Sequence, residues 1–241
     1  KYYELEHSLQ MAQISMPPEM YIATARMVSL IFAIVGGLLG LLIAIAVIFF
    51  VGIPESIFPI ALPESVYGYW MTVRPFIYSF LIVTVIAVVL YFIAHIAFTL
   101  YPSMIISDRK SKIDRVLPHA IMFMYSLTKG GMSLIEVFES LATNHEVYGE
   151  VSKEASRIIR DMELLGKDLR TALADAVELS PSENFKEFLH GLITIIDSGG
   201  DITKYFENRG EFYLERSRQD QKNFLEFLGL MAESYITAFV A

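Results

Sequence analysis

The sequence predicts an all-α, polytopic membrane protein with a six-helix bundle domain inserted between its transmembrane helices. Three observations lead there. Hydrophobic residues fill 54% of the 241 positions against 19% for charged ones, and the mean hydropathy of +0.46 is too high for an ordinary water-soluble enzyme. The charges fall in blocks, with no Asp, Glu, Lys or Arg between Arg26 and Glu55 or between Arg74 and Asp108. The charged remainder repeats its apolar residues at helical spacing, with no strand-like alternation of comparable length.

Residues 1–26 read as a cytoplasmic N-terminal segment and 27–51 as the first transmembrane helix. A helix over Val28–Val51 would run about 36 Å, enough to cross a hydrocarbon layer of about 30 Å. A cleaved signal peptide does not fit, because the apolar run is too long and a second one follows at once. Residues 52–74, which contain several prolines, read as an extracytoplasmic loop, and 75–100 as the second span. Tyr67, Tyr69 and Trp70 on one side of that span and Tyr101 on the other suit an interfacial belt. Arg109, Lys110, Lys112 and Arg115 follow the second span, whereas Arg74 is the only basic residue in 52–74. The positive-inside rule therefore puts the chain after the second span in the cytoplasm, and two crossings return the N-terminus to the same side. A third apolar stretch, 224–241, holds Glu226 and Glu233 and reads as the start of another transmembrane helix. A chain that opens on Lys1 and is still apolar at Ala241 reads as a fragment.

Residues 101–223 hold 16 of the 19 basic and 20 of the 27 acidic side chains, which predicts a compact cytoplasmic domain. Leu134, Val137, Phe138 and Leu141 fall at i, i+3, i+4 and i+7. Val151, Ala155, Ile158 and Met162 form a second stripe, and Phe185, Phe188, Leu189, Leu192 and Ile196 a third. Helices are predicted near 113–129, 133–144, 149–165, 168–178, 182–198 and 201–223. Pro118 and Pro181 suit early helical positions, so the first of these helices is expected to be kinked or to begin late. Between helices, Gly131, Gly166 and Gly200 offer left-handed endings. A start signal follows each: the capping box Ser133 with Glu136, then Asp168 and Asp201 as N-caps. The three glycines lie 35 and 34 residues apart, a period that also suits tetratricopeptide arrays. Their aromatic signature is missing, and a closed bundle fits better.

Composition also narrows the chemistry. A net charge of −8 gives no electrostatic reason to bind nucleic acid. With no cysteine there is no disulfide framework, thiolate nucleophile or Cys-ligated metal. There is no phosphate-binding Gly-x-x-x-x-Gly-Lys loop and no His-Glu-x-x-His, and His7, His95, His119, His145 and His190 lack metal spacing. No catalytic, cofactor-binding or metal residue is predicted, and the chain is not expected to be an enzyme. The glycine turns present helix N-termini that could take an anion, but ordinary capping accounts for them.

Pro118, then Lys129-Gly130-Gly131-Met132-Ser133-Leu134 leading into Val137-Phe138, resemble a known pattern. Leu165-Gly166-Lys167-Asp168-Leu169 and Asp197-Ser198-Gly199-Gly200-Asp201-Ile202 continue it. In order and spacing these residues resemble the cytoplasmic domain of type II secretion system protein F over roughly 110–223. Two spans ahead of the domain, and the lead-in residues Leu9–Ile14 and Glu19–Ala23, look most like the archaeal branch. The resemblance implies a non-enzymatic platform of a type II secretion, type IV pilus or archaellum machine. It implies a cell-membrane location, a cytoplasmic assembly ATPase and pilin-like or archaellin-like subunits as partners, and a homo-oligomer. It also implies a carboxylate opening the third span, which Glu233 resembles, although no proline follows it.

Arg109, Lys110, Lys112 and Arg115 read first as a topology signal that attracts anionic headgroups, and more sharply as a docking site for the ATPase. Glu233 is either a carboxylate still reached by water or one that pairs with a cation of a subunit or another span. For His95, simple packing is favoured. The apolar run from the last bundle helix into the third span suggests mechanical transmission. The alternative class is a membrane-tethered receptor or scaffold that needs no ATPase. A transporter has little support, because paired half-helices are missing.

Overall fold

A computed structural model describes residues 2–46 and 64–240, and among them every regular element is helical. The helices are α1 (Tyr2–Met11), α2 (Pro18–Ala46), α3 (Glu64–Lys129), α4 (Leu134–Thr143), α5 (His145–Leu165), α6 (Leu169–Leu179), α7 (Glu183–Ser198) and α8 (Ile202–Val240). They divide into two compact units, one of Lys1–Leu9 with Ile14–Met104 and one of Gln10–Gln13 with Ile105–Ala241.

The first unit is built on a helical hairpin. Two stretches among the described residues, Pro18–Ala46 and Pro75–Lys129, are long and apolar enough to cross a membrane. Most of the large apolar side chains of α2 face outward, as Ile34, Leu38 and Leu42 do. Such helices gain little from burying apolar surface against each other in lipid, so close backbone packing must join them. A Cβ on Gly36 would lie 2.9 Å from Leu90 Cδ1 and 3.1 Å from Ala87 Cα, and one on Gly40 would lie 2.9 Å from Val83 Cα. Only glycine fits there. Tyr21, further toward the N-terminus of α2, donates its hydroxyl to the Phe98 carbonyl at 2.7 Å. Position 21 meets 98 and position 40 meets 83, so the two helices run antiparallel.

Several boundaries differ from the sequence expectation. The helix of the first span begins at Pro18 rather than near 27, because proline suits a first helical turn and Glu19 complements its dipole. Residues 47–51 of that span, and 52–63 of the expected loop, lie outside the described residues. From Glu64 onward the chain is already helical, although the side chains of Tyr67, Tyr69 and Trp70 lie outside the description. The second span and the first bundle helix are a single element, α3, which passes through Pro118 without ending. A proline inside a helix costs about 3 kcal/mol. Here Ile113, Leu117, Ala120, Ile121 and Met124 are all buried around it, and each large side chain so buried contributes about 1.5–3 kcal/mol. Burial outweighs the lost hydrogen bond.

The second unit encloses one core, formed by the C-terminal part of α3 and α4 to α8. Phe138, Leu141, Ile158, Leu173, Phe185, Phe188, Leu192 and Phe206 are among its fully buried large side chains. Helix α5 breaks at Gly149, whose φ of 49° and ψ of −116° separate one preliminary turn from the main helix. Tyr213 of α8 donates its hydroxyl to the Asn184 carbonyl at 2.9 Å, and burial pushes its phenol up to about 12. The final segment of α8 stays helical to Val240, with Phe224, Leu225, Leu230, Tyr235 and Phe239 exposed. Ala241 lies outside the description.

Candidate functional site

The three turns that punctuate the bundle are built alike. Gly131, with φ 87°, ends α3, and the next amide, Met132, donates back to the Leu127 carbonyl at 3.2 Å. Ser133 then caps α4. Its hydroxyl accepts from the Glu136 amide, and its own amide donates to the Glu136 carboxylate at 2.8 Å. That amide, and the Ser133 hydroxyl, which also donates to the carboxylate at 2.8 Å, hold the Glu136 carboxyl below its usual value. Gly166, with φ 64°, ends α5, and Asp168 caps α6 by accepting from the Thr171 amide and hydroxyl. The bonds from Thr171 likewise depress the Asp168 carboxyl.

The third turn departs from the sequence reading in one residue. Gly199, with φ 66°, takes the left-handed position, and Gly200 follows it with its amide bonded to the Ile195 carbonyl at 2.9 Å. Both glycines could supply the conformation. The return bonds from the Gly199 amide to the Ile196 carbonyl and from the Gly200 amide to the Ile195 carbonyl put the left-handed residue at the earlier one. Asp201 caps α8 by accepting from the Lys204 amide at 3.0 Å. Every cap thus serves its own helix end.

The basic cluster that follows the second span is split by the fold. Lys110, Lys112 and Arg115 are exposed. Lys112 pairs with Asp108 at 2.6 Å, one helical turn away, and that hydrogen bond raises its ammonium. Lys110 and Arg115 border a groove of about 960 Å³ between α3 and α8, opposite Tyr213 and Arg216. Asp114, which also lines it, accepts hydrogen bonds from the Ser182 hydroxyl and the Asn184 side-chain amide, tying the start of α7 to α3.

Arg109 is different: it is only 5% exposed. Its Nε donates to Glu150 at 2.9 Å and its Nη2 to Glu154 at 2.6 Å, while Nη1 donates to the Met11 carbonyl. Glu154 is fully buried and also receives Arg157 on both oxygens. Burial pushes the Glu154 carboxyl up against the opposing pull of Arg157 and Arg109. For Glu150, burial is outweighed by the hydrogen bonds from Lys153 and Arg109, which hold it down. Sequence reasoning grouped Arg109 with its exposed neighbours and missed this network. One signal was present: Glu154 stands inside the apolar stripe of Val151, Ala155 and Ile158, where a carboxylate needs a buried partner.

Glu233 is exposed on the last part of α8, and its carbonyl accepts from the Thr237 hydroxyl at 2.8 Å. His95, on the second candidate span, stacks on Tyr91 with ring centroids 6.1 Å apart. Among the described residues no group of three or more His, Asp or Glu could hold a metal ion.

The family model of type II secretion system (T2SS) protein F matches residues 120–241. An uncharacterized protein of Methanocaldococcus jannaschii is 25% identical over 147 residues, covering 61% of this chain and 24% of the relative. Flagella accessory protein J of the same organism is 23% identical over 141 residues, covering 58% of this chain and 25% of the relative. A further uncharacterized protein from that source is 37% identical over 76 residues, covering 32% and 22%. The chain spans about a quarter of the length of these relatives. No solved structure matches. With half of its length matched by the family model, this chain belongs to the type II secretion system protein F family.

Proposed function

We propose that the chain is part of a cell-membrane platform protein of an archaellum-like, pilus-like or type II secretion assembly machine. In this reading its helical unit faces the cytoplasm and meets an assembly ATPase, and its apolar helices handle pilin-like subunits. Family membership carries the proposal, and the likeness to a flagella accessory protein of an archaeon favours the archaeal branch.

The bond from Arg109 to the Met11 carbonyl supports the topology. Two segments in contact lie on one side of a bilayer, so the chain between them crosses an even number of times. The antiparallel packing of α2 on α3 is what two crossings require. The exposure of Lys110, Lys112 and Arg115 is in keeping with an inner side for that end of the helices. The unbroken α8, with no proline after Asp201, offers a rod from the bundle toward a third span.

Copurification tests the reading directly. The platform function expects a hexameric secretion-type ATPase and pilin-like subunits to accompany the full chain. A passive receptor or scaffold would bring down neither. Because the chain has no cysteine, a single Glu163→Cys variant can also report sidedness in intact cells. Labelling by a membrane-impermeant thiol reagent before lysis would place the helical unit outside and overturn the proposal.

A further inference from the structure

A buried ion network is a poor device for stability alone, since apolar residues of similar size often serve as well or better. What the Arg109 network does provide is a specific attachment. All three guanidinium nitrogens are engaged, and their acceptors come from two separate parts of the chain: Glu150 and Glu154 on α5, and the turn that holds the last carbonyl of α1 and Gln13. Met11 ends α1, so its carbonyl is one of the orphan acceptors at the negative end of a helix dipole. Gln13 has a φ of 56°, a left-handed backbone that a side-chain-bearing residue adopts only when held there. With its amide oxygen turned inward, it accepts from Arg157 at 3.1 Å and from Arg109 at 2.8 Å.

Residues 14–17 then lead directly into α2, while Arg109 sits on α3 just after the second apolar stretch. We propose that Arg109, backed by Glu154, is a latch that fastens the turn Gln10–Gln13 to the helical unit. A load on that unit thereby reaches the chain entering α2 through a non-covalent contact as well as through α3. The role as a load path rests on the platform reading; the latch itself does not.

The test uses the full chain in lipid nanodiscs and hydrogen exchange at Gln13 and Ile14, whose amides bond the Gln10 and Leu9 carbonyls. The double variant Arg109→Met/Glu154→Met removes the donor to the Met11 carbonyl, leaves Gln13 only its longer bond from Arg157, and keeps an apolar contact between α3 and α5. Exchange at both amides should rise at least tenfold, with Phe188 and Leu192 in α7 unchanged within twofold. Turn exchange within twofold of the parent overturns the latch. If α7 also loosens, Arg109→Lys, which keeps the charge but reaches fewer acceptors, is judged by the same limits.

Spin labels at Gln10→Cys and Lys153→Cys, both exposed sites in a cysteine-free chain, give a second reading. A single narrow distance distribution in the parent that broadens in the double variant supports the latch, and a broad one in the parent overturns it. Neither measurement involves an assembly partner. A failed latch and a failed platform are therefore distinguishable: the first shows in these readouts, the second in copurification.

Discussion

Replacing Gly191 by alanine should destabilise the helical unit even though alanine is the better helix former. Gly191 lies on α7 against Tyr205 of α8, and a Cβ there would overlap the Tyr205 hydroxyl and stand 2.9 Å from its Cζ. The tyrosine has little freedom to retreat. Its ring stacks on the fully buried Phe188 with centroids 5.8 Å apart, and its hydroxyl donates to the Phe188 carbonyl at 2.6 Å. Overpacking of this kind costs about 1–3 kcal/mol, and the displaced hydrogen bond adds about 1 kcal/mol. Removing a helical glycine returns about 1 kcal/mol. The net expectation is a loss of about 1–3 kcal/mol, which for a unit of this size lowers Tm by about 3–9 °C. Thermal unfolding followed by circular dichroism on the detergent-solubilised chain reads it. Adding Tyr205→Phe should recover part of the loss, because the closest atom is gone. A Tm for Gly191→Ala equal to or above the parent would mean that helix propensity governs this contact, and the argument from close approach would be wrong.

Removing the α4 cap with Ser133→Ala should cost about 1 kcal/mol at neutral pH by chemical denaturation. The Ser133 amide, which alanine keeps, and the Ser133 hydroxyl, which it lacks, both depress the Glu136 carboxyl, so the hydroxyl's share is full above the unfolded value of about 4.3 and fades as pH falls through the folded value. The gap between Ser133→Ala and the parent should therefore narrow in acid, and a gap that widened there would contradict the assignment. Charge reversal at Lys110 and Lys112 should weaken ATPase pull-down without altering membrane insertion, and unchanged pull-down would remove them from the docking surface. Glu233→Gln should reduce filament assembly in cells if that carboxylate pairs with a cation during assembly; normal assembly would leave it a solvated end-of-helix group. A flexible Gly/Ser insertion near Lys222 should uncouple assembly while ATPase binding persists, and retained assembly would count against α8 as a rod.

By itself the sequence determined what is local or statistical. The apolar gaps located the two candidate spans, and the stripes located the bundle helices. The turns at Gly131 and Gly166 were legible with their caps, because a cap and its acceptor lie within three residues and steric rules act over that distance. Contacts between distant segments were not legible. Whether Pro118 would end a helix depended on Ile113, Leu117 and Met124 being buried by other elements. The partners of Arg109 lie 41, 45 and 98 residues away, and nothing in its immediate neighbours, Asp108 and Lys110, separates a buried arginine from an exposed one. Only the tertiary structure made that choice, because burying a guanidinium is tolerable only where carboxylates and a free helix carbonyl converge on it.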